Sequence, residues 1–219
     1  AGGATALLIS QGWTVHFAIA TDGSKGSREL EASQQTVASL REGEQQAAAQ
    51  LLGVKSVHFL RHEDGEICES RQLLEEMVRL LRTLKPERVF THYPASLEYW
   101  GPNSDPQFPA APPRVSHRDH RVVGQAVMDA VYPAARDCRN FPEHIHQGLE
   151  VHHVHQLYLW GHPQPNEHWD VSQVWEQKIQ SLQAHRSQMP QDPKLADRWF
   201  ERWQHQGRVY EHFLRVELS

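Results

Sequence analysis

Short runs of β-branched and aromatic residues alternate along this chain with longer stretches of helical periodicity. That alternation constrains the fold more than any other feature. Trp13 to Ala20 reads as a strand, with Val15, Phe17 and Ile19 alternating. Ser56–Leu60, Arg88–His92 and Gln156–Trp160 read as strands too. Between them lie a helix from Ala4 to Gln11 that stops at Gly12, one from Gln34 to Leu52 that stops at Gly53, and one from Ser70 to Leu84 with Pro86 behind it. Val174–Gln188 and Asp197–Leu214 read as the last two helices. Strands separated by helices give βαβ units. The expected fold is therefore α/β: a single Rossmann-like three-layer domain over residues 1–219, with a mostly parallel sheet and helices on both faces.

One pentapeptide carries the candidate chemistry. Ser116-His117-Arg118-Asp119-His120 packs two imidazoles and a carboxylate into one helical turn. It follows a long loop, Pro94–Val115, rich in Pro, Gly and aromatics. It precedes a helix in which Val123, Ala126, Val127, Ala130 and Val131 recur at helical spacing. His117 and His120 share one helix face, and His120 turns inward with the apolar stripe. Open α/β sheets bind ligands beyond the carboxyl ends of their strands, and the strand Arg88–His92 ends just upstream. The positive end of the helix dipole disfavours imidazolium, and a neutral imidazole is what a divalent metal takes as a ligand. Asp119 is placed to orient one ring through a hydrogen bond. The competing reading is chance, because 16 His among 219 residues make close pairs common. Spacing alone leaves both readings open.

Charge and composition narrow the partners. The net charge is -5 and the pI near 6.3, with Lys and Arg scattered and no basic block. No nucleic-acid partner is expected. Cys68 and Cys138 make no disulfide framework. No apolar run is long enough for a membrane span and no signal-peptide pattern opens the chain, so a cytoplasmic location is expected. Oligomeric state is unread.

Other features divide between chemistry and architecture. Thr21-Asp22-Gly23-Ser24-Lys25-Gly26 lacks the spacing of a dinucleotide-binding fingerprint and reads as a loop at a strand end. His152, His153 and His155 alternate along an extended segment, so at most two share a face; the plain structural reading is preferred to a second metal. Trp199, Phe200 and Trp203 lie at helical spacing, and a core-facing helix explains them more simply than sugar stacking. Tyr99, Trp100 and Phe108 in the long loop are better candidates for sugar contact, in a segment (94–116) read as an active-site loop; a disordered insertion is the alternative.

The chain resembles the LmbE-like/PIG-L family of zinc-dependent N-acetylglucosamine deacetylases. Ala1-Gly2-Gly3-Ala4, Thr21-Asp22-Gly23 with Gly26, Arg41-x-x-Glu44 followed by Ala47, Ala48 and Leu52-Gly53-Val54, Phe59-Leu60 with Asp64-Gly65, and His117-x-Asp119-His120 match in order. Leu157–Gly161 and His185-x-Ser187-Gln188 also fit. The resemblance implies hydrolysis of the N-acetyl group of an N-acetylated sugar or glycoconjugate, with Zn2+ or another divalent metal as cofactor. It implies that His120 is a metal ligand, that His117 and Asp119 are catalytic, and that Arg41 and Asp64 bind substrate. Ordinary alternatives stand beside the last two: an ion pair of Arg41 with Glu44 or Glu42, and a turn-forming Asp64 before Gly65. In the family a strand ending in His-Pro-Asp-Asp-x-Glu precedes the Ala-Gly-Gly segment and supplies two further ligands and the general base. A chain read from Ala1 holds one family ligand and no base. It is expected not to deacetylate by itself, and a catalytically inactive sugar-binding or scaffold member is the alternative function.

Overall fold

The computed structural model describes residues 1–27, 31–99, 101, 107–108, 112–189 and 191–218. They fold into two compact units, Ala1–Glu66 with His168–Glu211, and Ile67–Glu167 with His212–Ser219.

The first unit opens with α1 (Gly2–Ser10), followed by β1 (His16–Thr21). Helix α2 (Gln34–Leu52) is bounded by local signals. The Ser33 side chain accepts from Thr36 N–H at the start, and Gly53 closes the end in the left-handed conformation at φ 83°. Strand β2 (Ser56–His62) then pairs in parallel with β1. Ala6, Leu52, Val171, Val174, Trp175, Ile179, Leu195 and Val209 form the core of this unit. These residues come from α1, α2, the segments around α6 (Trp175–Gln183) and α7 (Leu195–Trp203), and Val209 near the chain end. Trp199 and Phe200 pack against that core, as expected for a core-facing helix. Trp203 lies stacked on Trp199 at 6.0 Å with 39% of its surface exposed.

The second unit begins at α3 (Arg71–Leu84), capped by Ser70, whose side chain accepts from Leu73 N–H. Leu73, Met77, Val78 and Leu81 bury one stripe of it. Arg82 is also buried, and its guanidinium donates to the carbonyls of Ala134, Ala135, Asp137, Asn140 and Phe141. One guanidinium thus gathers five carbonyls of the segment 134–141, of which Ala135, Asp137 and Phe141 also accept main-chain N–H groups. Strand β3 (Arg88–His92) follows. The ends of the long loop pair as β4 (Leu97–Glu98) and β5 (Arg114–Val115), antiparallel, so its base is clamped. Then come α4 (Arg118–Asp129), the short α5 (Pro142–His146) and β6 (Gln156–Trp160), which pairs in parallel with β3. Phe90 stacks on Tyr158 at 4.4 Å and meets Phe213 edge-on at 5.5 Å.

The α/β class and the parallel strand pairs agree with the expectation from sequence. The C-terminal reading does not. Residues 210–217 form a strand, β8 (Tyr210–Glu217), where a helix to Leu214 was expected. Helix α7 stops at Trp203, and β8 runs antiparallel to β6 with Leu157 opposite Val216 and Leu159 opposite Leu214. With β7 (Glu167–Asp170) the sheet order is β3-β6-β8-β7; β1–β2 and β3–β6 pair in parallel, whereas β4–β5 and β6–β8 are antiparallel.

Candidate active site

The pentapeptide lies where its spacing placed it, at the start of α4 in the second unit. His117 is the N-cap: its Nδ1 accepts from Asp119 N–H at 3.2 Å. An imidazole filling that role is unusual among caps. It has a chemical consequence. While Nδ1 accepts, the ring proton sits on Nε2, so the half-exposed ring offers an N–H donor at its far edge. Asp119 is buried, and its carboxylate lies 4.0 Å from His117 Nδ1. That is too long for a hydrogen bond. Asp119 therefore orients His117 through its main-chain N–H, not through its carboxylate, which acts on the ring as a nearby negative charge.

His120 lies flat on His92, the last residue of β3, with ring centroids 3.8 Å apart and planes 18° from parallel. His92 Nδ1 in turn accepts from the indole N–H of Trp160 at 2.8 Å. This bond fixes the tautomer of His92 with its proton on Nε2. Burial and the neighbouring His120 push the His92 pKa down to about 3, so the ring stays neutral at any ordinary pH. Burial also lowers the pKa of His120, against the opposing pull of Glu98. The Nδ1 of His120 is 3.9 Å from Glu98 Oε2 and has no hydrogen-bond partner among the described residues. A neutral imidazole suits a divalent metal ligand through Nε2, with the Glu98 carboxylate on the Nδ1 side as the orienting partner.

Close approach of α4 to β3 makes the stack. A Cβ at Gly124 would collide with the His92 carbonyl oxygen and stand 3.2 Å from the carbonyl carbon. Only glycine lets the helix lie this near the strand end. His92, Glu98, Trp160 and Gly124 are thus site residues that the reading from sequence did not assign. The one available signal was a histidine at the carboxyl end of a strand.

The two predicted substrate residues lie in the first unit. Asp64 follows β2, and its Oδ2 accepts from Lys25 N–H at 3.2 Å. Its own N–H donates to Asp22 Oδ1 at 3.1 Å, which also accepts from Ser24 N–H. Burial pushes the Asp22 carboxyl up, but these amides outweigh it and hold it below the usual range. The loop after β1 is therefore fastened to the loop after β2 by two carboxylates, Asp22 and Asp64, each accepting a main-chain N–H of the other loop. Arg41 rests its guanidinium against Gly23 and Gly26. Neither ion pair weighed for it forms: Glu42 is held by Arg61 at 2.7 Å, and buried Glu44 accepts from Ser187 N–H and Oγ at 2.7 and 2.8 Å. Arg41 has no carboxylate partner among the described residues, and it depresses the basicity of half-buried His185 alongside burial itself.

Of the loop aromatics, Tyr99 donates its N–H to Gly161 O, and Phe108 meets His212 edge-on at 4.9 Å. Trp100 lies outside the described residues. The histidines near 152 are occupied structurally. His152 Nε2 donates to Pro86 O at 2.7 Å, and His153 Nδ1 accepts from Arg136 at 3.1 Å.

Comparison with known proteins identifies the relatives of the chain. The family model described as PIG-L, GlcNAc-PI de-N-acetylase, matches residues 1–131. A diacetylchitobiose deacetylase of Thermococcus kodakarensis is 30% identical over 191 residues, 87% of this chain; the chain spans 65% of that relative's length. A probable N-acetyl-α-D-glucosaminyl L-malate deacetylase of Bacillus cereus is 25% identical, covering 86% of this chain and 76% of its own length. The N,N′-diacetylchitobiose deacetylase of Pyrococcus horikoshii superposes with a TM-score of 0.80 at 25% identity, over 99% of this chain and 78% of its own. A 4-carboxy-2-hydroxymuconate hydratase of Pseudomonas putida shares the fold at a TM-score of 0.73 and 22% identity, over 100% of this chain and 90% of its own. The fold therefore hosts more than one chemistry, and activity has to be read from the site. No helix among the described residues is long and apolar enough to cross a membrane. By the extent of the family match, which takes in more than half of its residues, the chain belongs to the PIG-L family.

Proposed function

We propose that the protein hydrolyses the N-acetyl group of an N-acetylglucosamine-type sugar or glycoconjugate, with Zn2+ or another divalent metal as cofactor. The observation that carries this reading is the N-terminal turn of α4. There a capped imidazole with its proton on Nε2 stands one helical turn from a neutral imidazole stacked on His92. The deacetylases among the relatives support the substrate class.

His120 would hold the metal, through a ring kept neutral by burial and kept in plane by His92. The chemistry such a metal would supply is Lewis acidity toward an amide carbonyl and toward water. The rest falls to side chains. His117 Nε2–H donates toward the oxygen that gains charge as the amide carbon becomes tetrahedral, or delivers a proton to the departing amine. Arg41 and Asp64 would read sugar hydroxyls, one as donor and one as acceptor.

The test is release of acetate from N-acetylglucosamine and N,N′-diacetylchitobiose in the presence of Zn2+. It is run on the chain alone and on a version preceded by the family's His-Pro-Asp-Asp-x-Glu segment. Metal-dependent release by the extended version, lost in His117→Ala, is the expected result. If the extended version binds metal at one equivalent and releases no acetate from any N-acetylated sugar, the reading is wrong.

A further inference from the structure

Two histidines in the first unit share one hydroxyl. His16 opens β1 and His58 lies in β2. His16 Nδ1 is 2.7 Å from Ser56 Oγ, and His58 Nε2 is 2.9 Å from the same oxygen. The parallel register sets His16 opposite Ser56 and Ala18 opposite His58, so the four side chains stand on one face of the ladder. The two rings are 6.2 Å apart and tilted by 47°. All three polar residues are half-buried, while Ala18 is exposed. The small side chain leaves the flank of His58 open to water.

A serine hydroxyl carries one proton. It can donate to only one of the two rings, so the other ring must donate its own N–H to Oγ. One lone pair and one N–H therefore both point at Ser56 Oγ. If the donating ring changes tautomer and Oγ turns aside, both lone pairs face the position it leaves, and the protein neither gains nor loses a proton. Two convergent imidazoles with a hydroxyl beside them are a donor set for a borderline divalent transition metal. Burial, with His58 alongside, lowers the His16 pKa and keeps that ring in its ligating form. Lys55, just before β2, adds positive charge nearby. It disfavours hard ions such as Mg2+ and Ca2+, which depend on anionic oxygens, more than an ion that bonds strongly to nitrogen.

We propose that His16, Ser56 and His58 form a metal site that takes one Zn2+ ion, with the two imidazoles as ligands and the Ser56 hydroxyl and water in the remaining positions. The site uses none of the residues assigned to deacetylation and stands whether or not that assignment holds.

The experiment is a Zn2+ titration of the chelator-treated protein, followed through the imidazole resonances by nitrogen–proton NMR up to one equivalent. His16 and His58 should shift together, with a single affinity, in the wild type and equally in His120→Ala. His16→Ala and His58→Ala should each weaken binding by at least about ten-fold, the scale on which even outer-shell changes act. Ser56→Ala should bind within a few-fold of wild type, because water replaces the hydroxyl. The wild-type titration needs no substitution and stays decisive if a variant folds poorly. The proposal is overturned if His16 and His58 stay unmoved while other histidines respond, or if the two rings titrate at different Zn2+ levels. It is equally overturned if both alanine variants keep wild-type affinity.

Discussion

Replacing Gly124 by alanine should destabilise the protein, against the usual sign for a glycine inside a helix. In an open helix the change gains about 1 kcal/mol, because alanine restricts the unfolded chain and glycine does not. Here the new Cβ would overlap the His92 carbonyl oxygen, with the carbonyl carbon at 3.2 Å and Pro94 Cβ at 3.4 Å. A carbon needs about 3.3 Å from a carbonyl oxygen, so α4 must retreat by about 1 Å. The obstacle is strand backbone, which cannot rotate aside as a side chain would. Overpacking of this kind costs about 1–3 kcal/mol. Subtracting the helix gain leaves a net loss of up to about 2 kcal/mol. The larger effect should be on chemistry. The same helix carries His117, Asp119 and His120, and a displacement of about 1 Å can cost on the order of a hundred-fold in rate. Urea unfolding measures the first quantity and turnover of the active protein the second. The ring-current shift that His92 imposes on His120 reports the displacement directly. A Gly124→Ala protein that is about 1 kcal/mol more stable, with the His120 resonances unmoved, would refute the close approach.

Three further outcomes follow from the same geometry. His120→Ala should lose the bound metal of the active protein, whereas His117→Ala should keep the metal and lose about a hundred- to ten-thousand-fold in turnover; equal metal retention in the two variants removes the division of labour. His92 titrates near 3 when folded and near 6.5 when unfolded. The unfolded state then binds more protons between those values, so the contribution is fully present above pH 6.5 and declines as pH falls toward 3. By about pH 5 the loss is roughly 2 kcal/mol. His92→Phe should flatten that slope, and identical pH profiles for the two proteins would contradict the burial of the ring. Glu211 accepts the N–H groups of Gly3 and Ala4 and pairs with nearly buried Lys178 at 2.8 Å. Glu211→Gln strands that ammonium and should cost about 3–5 kcal/mol in unfolding free energy, with much of it recovered in Glu211→Gln/Lys178→Met.

The elements that were legible in the sequence are those defined by neighbours along the chain. Helix α2 begins after Ser33 and stops at Gly53, and α3 begins after Ser70 and stops ahead of Pro86. A cap is a bond between residues a few positions apart, so its signal is local. Strands β3 and β6 match their expected limits because β-branched and aromatic side chains fill both runs. The C-terminus misled because buried Val209 and Phe213 are four apart, a spacing that suits a helix face and a strand face equally. Gly207 stood between the two possibilities as an unread stop signal. What makes residues 210–217 a strand is the free edge of β6, and no nearby residue reports that edge.

The site divides along the same line. The pentapeptide was visible because a cap and two imidazoles fit within one turn. Its support was not, since each supporting residue comes from a distant segment. Trp160 meets His92 only because the parallel register of β3 and β6 sets them side by side. Glu98 is brought near by pairing at the base of the long loop and by Tyr99 bonding to Gly161. In the sequence, a histidine ending a strand looks like a residue bound for solvent, free to titrate near neutrality. Docking of α4 across Gly124 removes that water, and the indole N–H takes the one nitrogen left to accept a proton. The ring is thus held neutral, and a ring held neutral can serve as a fixed surface on which His120 keeps its orientation.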